Sequence, residues 1–382
     1  MLIGAGLLAA ALTFTINWLA LIPWRRAKDR HWTERARLCY PARVAAGSNL
    51  WVLPAVLSMT VLLFWPDVSP HWMLMFLATA IGAVAGTIPM GRELFPRIPL
   101  EDLLRQTAAH WLIRFAIWFI FLGAVALMPD EFNVQGLVIV VVVLALCIFW
   151  SHQGWVWVGQ KFGSIVPPPE RLQNIVRTTA AEMNVSFQEL WLMRDFMAQA
   201  YAMPAGRRLL FSERLLQTLS DDEIAAVCAH ELAHLNEAKT EYYKRYIQWL
   251  AFLPWLFFKP VVHLMGVFGY VILVCVTAVV PRVSRDISRK LEVRADKMAK
   301  AAERDPGTYA RALARIYEDN LIPAVTSGRG THPHLYDRLV AAGVTADFPR
   351  PAAAKSTTWY GHMLAFLLAL LAMALVIELT NP

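Results

Sequence analysis

Charge is scarce in this chain. Only 17% of its 382 residues are Asp, Glu, Lys or Arg, against 57% in the hydrophobic class. With a mean hydropathy of +0.43, that excludes an ordinary soluble protein and puts a membrane first among environments. Cysteine is scarce as well, and Cys39, Cys147, Cys228 and Cys275 include no closely spaced pair. A disulfide framework is therefore not expected, and the four read as buried free thiols. No Lys or Arg precedes the first apolar run, residues 2–22, whereas Arg25 and Arg26 follow it. A cleavable signal peptide has the opposite order, so this run is expected to be a retained span. Internal repeats and long low-complexity segments are also missing. The charge that is present is net positive, +7, which in a membrane protein reflects basic cytoplasmic loops rather than a nucleic-acid partner.

The apolar runs can be ordered by the charges between them. A loop over 23–48 carries Arg25, Arg26, Lys28, Arg30, Arg35, Arg37 and Arg43. The positive-inside rule makes it cytoplasmic and the N-terminus external. Further spans are expected at about 50–66, 71–90, 111–128 and 135–151. Arg114, near the start of the fourth, can reach the interface by snorkelling. After a polar segment, Tyr246 to about Val280 is apolar again but interrupted at Lys259-Pro260, which reads as a hairpin turning between Phe258 and Gly269. A last span is expected at 358–379. Tryptophans such as Trp18, Trp24, Trp51, Trp65, Trp72, Trp111 and Trp359 sit near span ends, as interfacial anchors do.

The polar segment carries the chemistry. His230-Glu231-Leu232-Ala233-His234 has two histidines four apart, which lie on one face of a helix and can reach one metal ion. Such a metal lowers the pKa of a water, and Glu231 is spaced to take its proton without being a ligand. Ile224, Val227, Cys228 and Leu235 mark an apolar face at helical spacing. Ser220 followed by Glu223 reads as a capping box that starts the helix. Downstream, Glu292 and Asp296 are again four apart: Glu292 suits a third ligand, and Asp296 suits a partner for the free ring N–H of a ligand histidine. Read without a metal, the same residues are an exposed helix with salt links to Arg289, Arg294 and Lys297. Upstream, Pro167-Pro168-Pro169 reads as a turn, 170–183 as a helix, and Leu190–Met193, Gln199–Met203 and Arg208–Phe211 as strands, with a turn at Pro204 to Gly206. Helices are expected over 284–304 and 306–320.

These residues together resemble the integral-membrane gluzincin peptidases, which include the HtpX-type heat-shock proteases and the CaaX prenyl endoproteases. Ala200-Tyr201-Ala202-Met203-Pro204 is similar to that family's N-A-F-A-x-P strand, and Leu219 through Val227 to its approach to H-E-x-x-H. Thr331-His332-Pro333, followed by Arg338, is similar to its T-H-P segment. The resemblance covers about 170–340 and departs at Gln199, where the family often has Asn, and in the five spans that precede the peptidase region. It implies one Zn²⁺ per chain on His230, His234 and Glu292, with Glu231 as general base and Asp296 behind the ligands. It also implies a substrate-pairing strand at Ala200, Tyr201, Ala202 and Met203, and His332 over the metal or at the oxyanion.

The expected fold class is a mainly α membrane protein of about eight transmembrane helices with a split cytoplasmic zincin-like α+β peptidase domain. Its parts are a membrane region 1–151, peptidase segments 152–246 and 282–357 around a hairpin 247–281, and a terminal span 358–382. The expected partners are the lipid bilayer and a protein or peptide substrate, and the expected location is a bacterial-type cytoplasmic membrane with both termini outside. A non-catalytic zinc scaffold or sensor, a prenyl-protein endoprotease and an intramembrane zinc protease are the alternatives. The charged flanks Asp221-Asp222-Glu223 and Asn236 to Lys239 place the motif at the interface rather than inside a span.

Overall fold

The computed structural model describes residues 2–64, 72–204, 206–236, 253–327 and 332–355. The chain divides into two compact units, one of residues 1–107, 317–329 and 347–382, the other of 108–316 and 330–346.

The first unit is built on α1 (Leu2–Ala20), α2 (Trp32–Phe64) and α3 (Trp72–Leu94). α1 and α3 approach so closely that a Cβ on Gly82 would lie 2.0 Å from the Gly6 carbonyl oxygen, and one on Gly86 2.5 Å from that of Ala10. Small residues permit this backbone contact where lipid gives helices no hydrophobic reason to associate. Ala9, Leu53, Leu57 and Met75 fill the space between. Arg25 binds Glu93 through two hydrogen bonds of 2.5 and 2.6 Å. The basic stretch expected as a loop over 23–48 is largely helical, because α2 already begins at Trp32. Its charge separates it from the membrane in hydropathy, but Ala, Arg and Leu are good helix formers.

The second unit begins within α4 (Leu100–Leu127) and continues through α5 (Val134–Phe149), a π turn (Trp150–Gly154) and α6 (Trp155–Lys161). Among the described residues, four helical segments are long and apolar enough to cross a membrane: Leu2–Ala20, Met73–Leu94, Val134–Lys161 and Leu253–Thr277. A fifth is possible if Leu100–Ile113 and Phe115–Leu127, bent by 41°, count as one span. The expected span 358–379 and the first arm of the expected hairpin, 246–252, lie outside the described residues. Cys39, Cys147 and Cys228 are buried free thiols as expected, while Cys275 is exposed.

Beyond α6 come β1 (Ile165–Val166), α7 (Glu170–Glu182), β2 (Glu189–Met193), β3 (Ala200–Met203) and β4 (Arg208–Ser212). The strands form one mixed sheet in the order β1-β2-β4-β3. β2 and β4 are parallel, and β1 and β3 are antiparallel to their neighbours, so β3 is an edge. The three expected strands are found within a residue of their expected positions. β1 was not expected, since two residues carry no alternation to read. Next come α8 (Glu213–Thr218) and the motif helix α9 (Asp221–Asn236).

α9 starts at the expected capping box. The Ser220 N–H donates to Glu223 Oε2 at 2.9 Å, and the Glu223 N–H reaches Ser220 Oγ at 3.4 Å. Ile224, Val227, Cys228, Leu232 and Leu235 are buried against Leu172 and Val176 of α7 and Leu209 and Phe211 of β4. Each fully buried side chain of this size contributes about 1.5–3 kcal/mol, so this face fixes the rotation of α9.

A 3-10 turn (Leu253–Phe257) leads into α10 (Phe258–Ala301), broken at Gly266, where φ is 57° and ψ is −141°. That backbone region belongs to glycine, and it falls inside the expected turn of 258–269. After Gly266 the helix runs on without interruption, so the membrane arm and the expected helix 284–304 are one element. α11 (Thr308–Asp319) and α12 (Leu335–Ala341) complete the unit.

Ser212, the last residue of β4, ties Gln199, just before β3, to the start of α8. Its buried Oγ accepts the Gln199 N–H at 2.9 Å and the Leu215 N–H at 3.1 Å, and its own N–H donates to the Gln199 carbonyl at 2.9 Å. Ser212→Ala removes two of these bonds and should cost about 1–2 kcal/mol. The expected result is a lower melting temperature in detergent; an unchanged melting curve would show that Ser212 does not hold this joint.

Candidate metal centre

The i, i+4 spacing on α9 stacks the two imidazoles on one face of the helix. The Nε2 atoms of His230 and His234 lie 3.3 Å apart, their rings at 78° to each other. Glu292 enters from α10 with Oε2 3.4 Å from His230 Nε2 and Oε1 3.6 Å from His234 Nε2. One donor atom from each residue falls within a cluster 4.8 Å across, and all three side chains are buried or nearly so. Two imidazole lone pairs and a carboxylate facing one another repel unless a cation lies between them. Three nitrogen and oxygen donors of this kind suit Zn²⁺ and leave a coordination position open.

The charges around His230 point the same way. Burial pushes its pKa down, but the hydrogen bonds to Asp296 and Glu292 and the charge of Glu231 outweigh that and raise it to about 9. Burial pushes the Glu292 and Asp296 carboxyls up, yet His230 and His332 beside Glu292, and His230 and Arg338 beside Asp296, hold both below the usual range. The cluster favours positive charge, which a proton or a divalent cation can supply.

Asp296 stands behind the imidazoles, its Oδ1 3.2 Å from His230 Nδ1 and paired with the Arg338 guanidinium of α12. His332 lies at the rim, half exposed, with Nδ1 2.8 Å from Glu292 Oε2. Glu231 reaches the sheet edge, where its Oε2 accepts the Ala202 N–H at 2.6 Å, and its charge still acts on His230. Of β3, Tyr201 is exposed and the Met203 side chain is buried. The structure thus brings all the sequence-predicted residues into one region, with β3 joined to the motif through Glu231.

Tyr309, at the start of α11, was not among them. Its hydroxyl lies 2.7 Å from His230 Nδ1, 3.0 Å from Asp296 Oδ1 and 2.6 Å from Arg338 Nη2. Burial pushes its phenol well above the ordinary value of 10.0. No sequence signal marks it, because an aromatic opening an amphipathic helix reads as core.

Residues 168–345 match Peptidase family M48. That segment is similar to the M48 peptidases. It contains every residue of the cluster and coincides with the stretch on which the HtpX-type gluzincin resemblance rests. A protein described as "Protease HtpX homolog" from Thermoplasma acidophilum is 29% identical over 157 residues, covering 38% of this chain and 48% of that relative. The chain therefore spans about half the length of the curated relative it matches. The match supports a metallopeptidase-like segment, in a chain whose described residues include helices long and apolar enough to span a membrane.

Because the His230 pKa of about 9 lies above the ordinary 6.5, its ionised contacts stabilise the metal-free M48 segment fully below about pH 6.5. That contribution is lost as pH rises through about 9. Loading zinc at pH 7 should then displace about one proton from this ligand set. Calorimetry of zinc binding in buffers of different ionisation enthalpy measures this directly. Zero proton release would contradict a protonated His230 in the metal-free protein.

Proposed function

We propose that the protein is a zinc-dependent endopeptidase of the cytoplasmic membrane that hydrolyses peptide bonds of membrane or unfolded proteins from the cytosolic side. The observation that carries this reading is the convergence of His230, His234 and Glu292 with Glu231 held beside them by the Ala202 amide. His230 Nε2, His234 Nε2 and a Glu292 oxygen would hold one zinc ion, which when bound acts as a Lewis acid and lowers the pKa of a water.

The chain's own groups supply the rest. Glu231 accepts a proton from the attacking water on its carboxylate and returns it to the departing amine. The Ala202 N–H keeps Oε2 at the sheet edge, so the base is oriented before substrate arrives. β3 offers main-chain groups to an extended substrate of any sequence, in the manner of strand addition. His332 stands at the open side of the cluster, where its ring can donate to the scissile carbonyl oxygen as charge develops there. The cytosolic orientation, and both termini outside, rest on the basic residues that follow the first and third apolar runs.

Glu231→Gln tests the mechanism. The variant should retain zinc, since Glu231 is no ligand, while cleavage of an unfolded protein by purified enzyme in detergent falls by about 10²–10⁴-fold. Full activity in Glu231→Gln would sink the general-base assignment.

A further inference from the structure

We infer that Tyr309 is a positioning residue of the metal centre: its phenol oxygen, nearer to His230 Nδ1 than Asp296 is, receives the Nδ1 proton and so fixes the tautomer that leaves Nε2 free for a metal. This rests on the metal-centre reading above and adds to it.

The argument is one of hydrogen-bond direction. A phenol has one proton to donate and two lone pairs to accept with. Tyr309 has three polar neighbours: Arg338 Nη2 at 2.6 Å, His230 Nδ1 at 2.7 Å and Asp296 Oδ1 at 3.0 Å. A guanidinium can only donate, and an ionised carboxylate can only accept. The Tyr309 proton must therefore point at Asp296. Were it turned to His230 instead, the phenol oxygen and the Asp296 carboxylate would face each other 3.0 Å apart with no proton between them. What remains toward His230 is a lone pair, so Nδ1 must carry the hydrogen. Once the His230 ring is neutral, its lone pair is on Nε2, which faces His234 and Glu292. Tyr309 is also nearer to Nδ1 than Asp296 is, 2.7 Å against 3.2 Å.

The ring is as constrained as the hydroxyl. Tyr309 is 6% exposed. It stacks on His230 at a centroid distance of 5.4 Å and an interplanar angle of 20°, and Arg338 lies over the same ring at 5.5 Å. Its backbone is fixed as well: the Glu303 carboxylate accepts the N–H groups of Tyr309 at 2.7 Å and Gly307 at 2.8 Å, capping α11 where the tyrosine leaves it. Ala312 and Ile316, further along α11, pack on the core beneath α9.

Tyr309→Phe removes the hydroxyl and keeps the stacked ring. Zinc affinity would be measured by competition with a chelator for wild type, Tyr309→Phe, Tyr309→Leu and His230→Ala, with circular dichroism of each metal-free protein as the folding control. The expected result is a folded Tyr309→Phe whose zinc dissociation constant rises about tenfold or more, while His230→Ala loses the site. Zinc affinity in Tyr309→Phe equal to wild type would overturn the inference and leave the metal centre standing. Weakening in Tyr309→Leu alone would assign the effect to the ring and overturn it too. A wild-type protein that takes up no zinc would overturn both.

Discussion

Glu292 is a carboxylate held at 9% exposure against two imidazoles, and the rest of the M48 segment depends on making that burial tolerable. An ion removed from water costs several kcal/mol unless it is paired and hydrogen-bonded. Positive charge arrives from several sides. His332 approaches one oxygen of Glu292, Arg338 pairs with Asp296 behind the site, and His230 lies between the two carboxylates. A divalent cation among the three donor atoms would balance the charge more completely than any of these. The same argument explains why so much structure converges here. The capping box and apolar face fix α9, the unbroken helix after Gly266 carries Glu292, and Glu303 caps α11 at Tyr309.

The sheet matters to the site mainly through its edge. A general base on an exposed helix face would sample several rotamers. Here one oxygen of Glu231, the proposed base, is tied to a backbone amide of β3. The tie has a cost for any partner strand, because the Ala202 amide is already committed. On the proposed reading of β3 as a substrate edge, main-chain pairing must use the Ala202 carbonyl and the outward groups of Ala200, or displace Glu231 from that amide.

Much of this was legible in the sequence because the relevant periodicities are local. Four-residue spacing puts His230 over His234 and Glu292 beside Asp296, and Ser220 with Glu223 announces the start of α9. Ile224, Val227, Cys228 and Leu235 mark the buried face by their spacing alone. What was not legible is of two kinds. The first is helix continuity across a change of environment: Trp32–Phe64 crosses from basic to apolar sequence without a break, and α10 does the reverse. Hydropathy divides such elements where the backbone does not. The second is contact between distant elements. Tyr309 meets His230 across 79 positions, and Ala202 meets Glu231 across 29; no local pattern encodes either.

Gln199 shows how far a substitution in a motif can be followed. Where the resembling family often has Asn, the longer side chain spans two partners: Nε2 donates to Asp195 Oδ2 at 2.6 Å, and Oε1 accepts the Tyr201 hydroxyl at 2.5 Å. Asp195 is held in turn by the Met197 N–H at 3.0 Å. Burial pushes its carboxyl up, against the pull of that N–H, His110 and Gln199. The donor end of the amide is thus turned inward to an aspartate and its carbonyl end to a hydroxyl two residues along the chain. An asparagine, one methylene shorter, could not reach both partners from the same backbone position. The hydroxyl on Tyr201, where the family motif has Phe, gives the glutamine carbonyl its partner, so the two departures account for each other. The outward element at this end of β3 is then the exposed tyrosine ring rather than a side-chain amide. If β3 pairs with substrate as proposed, any selectivity it adds to main-chain pairing should come from the packing of that ring.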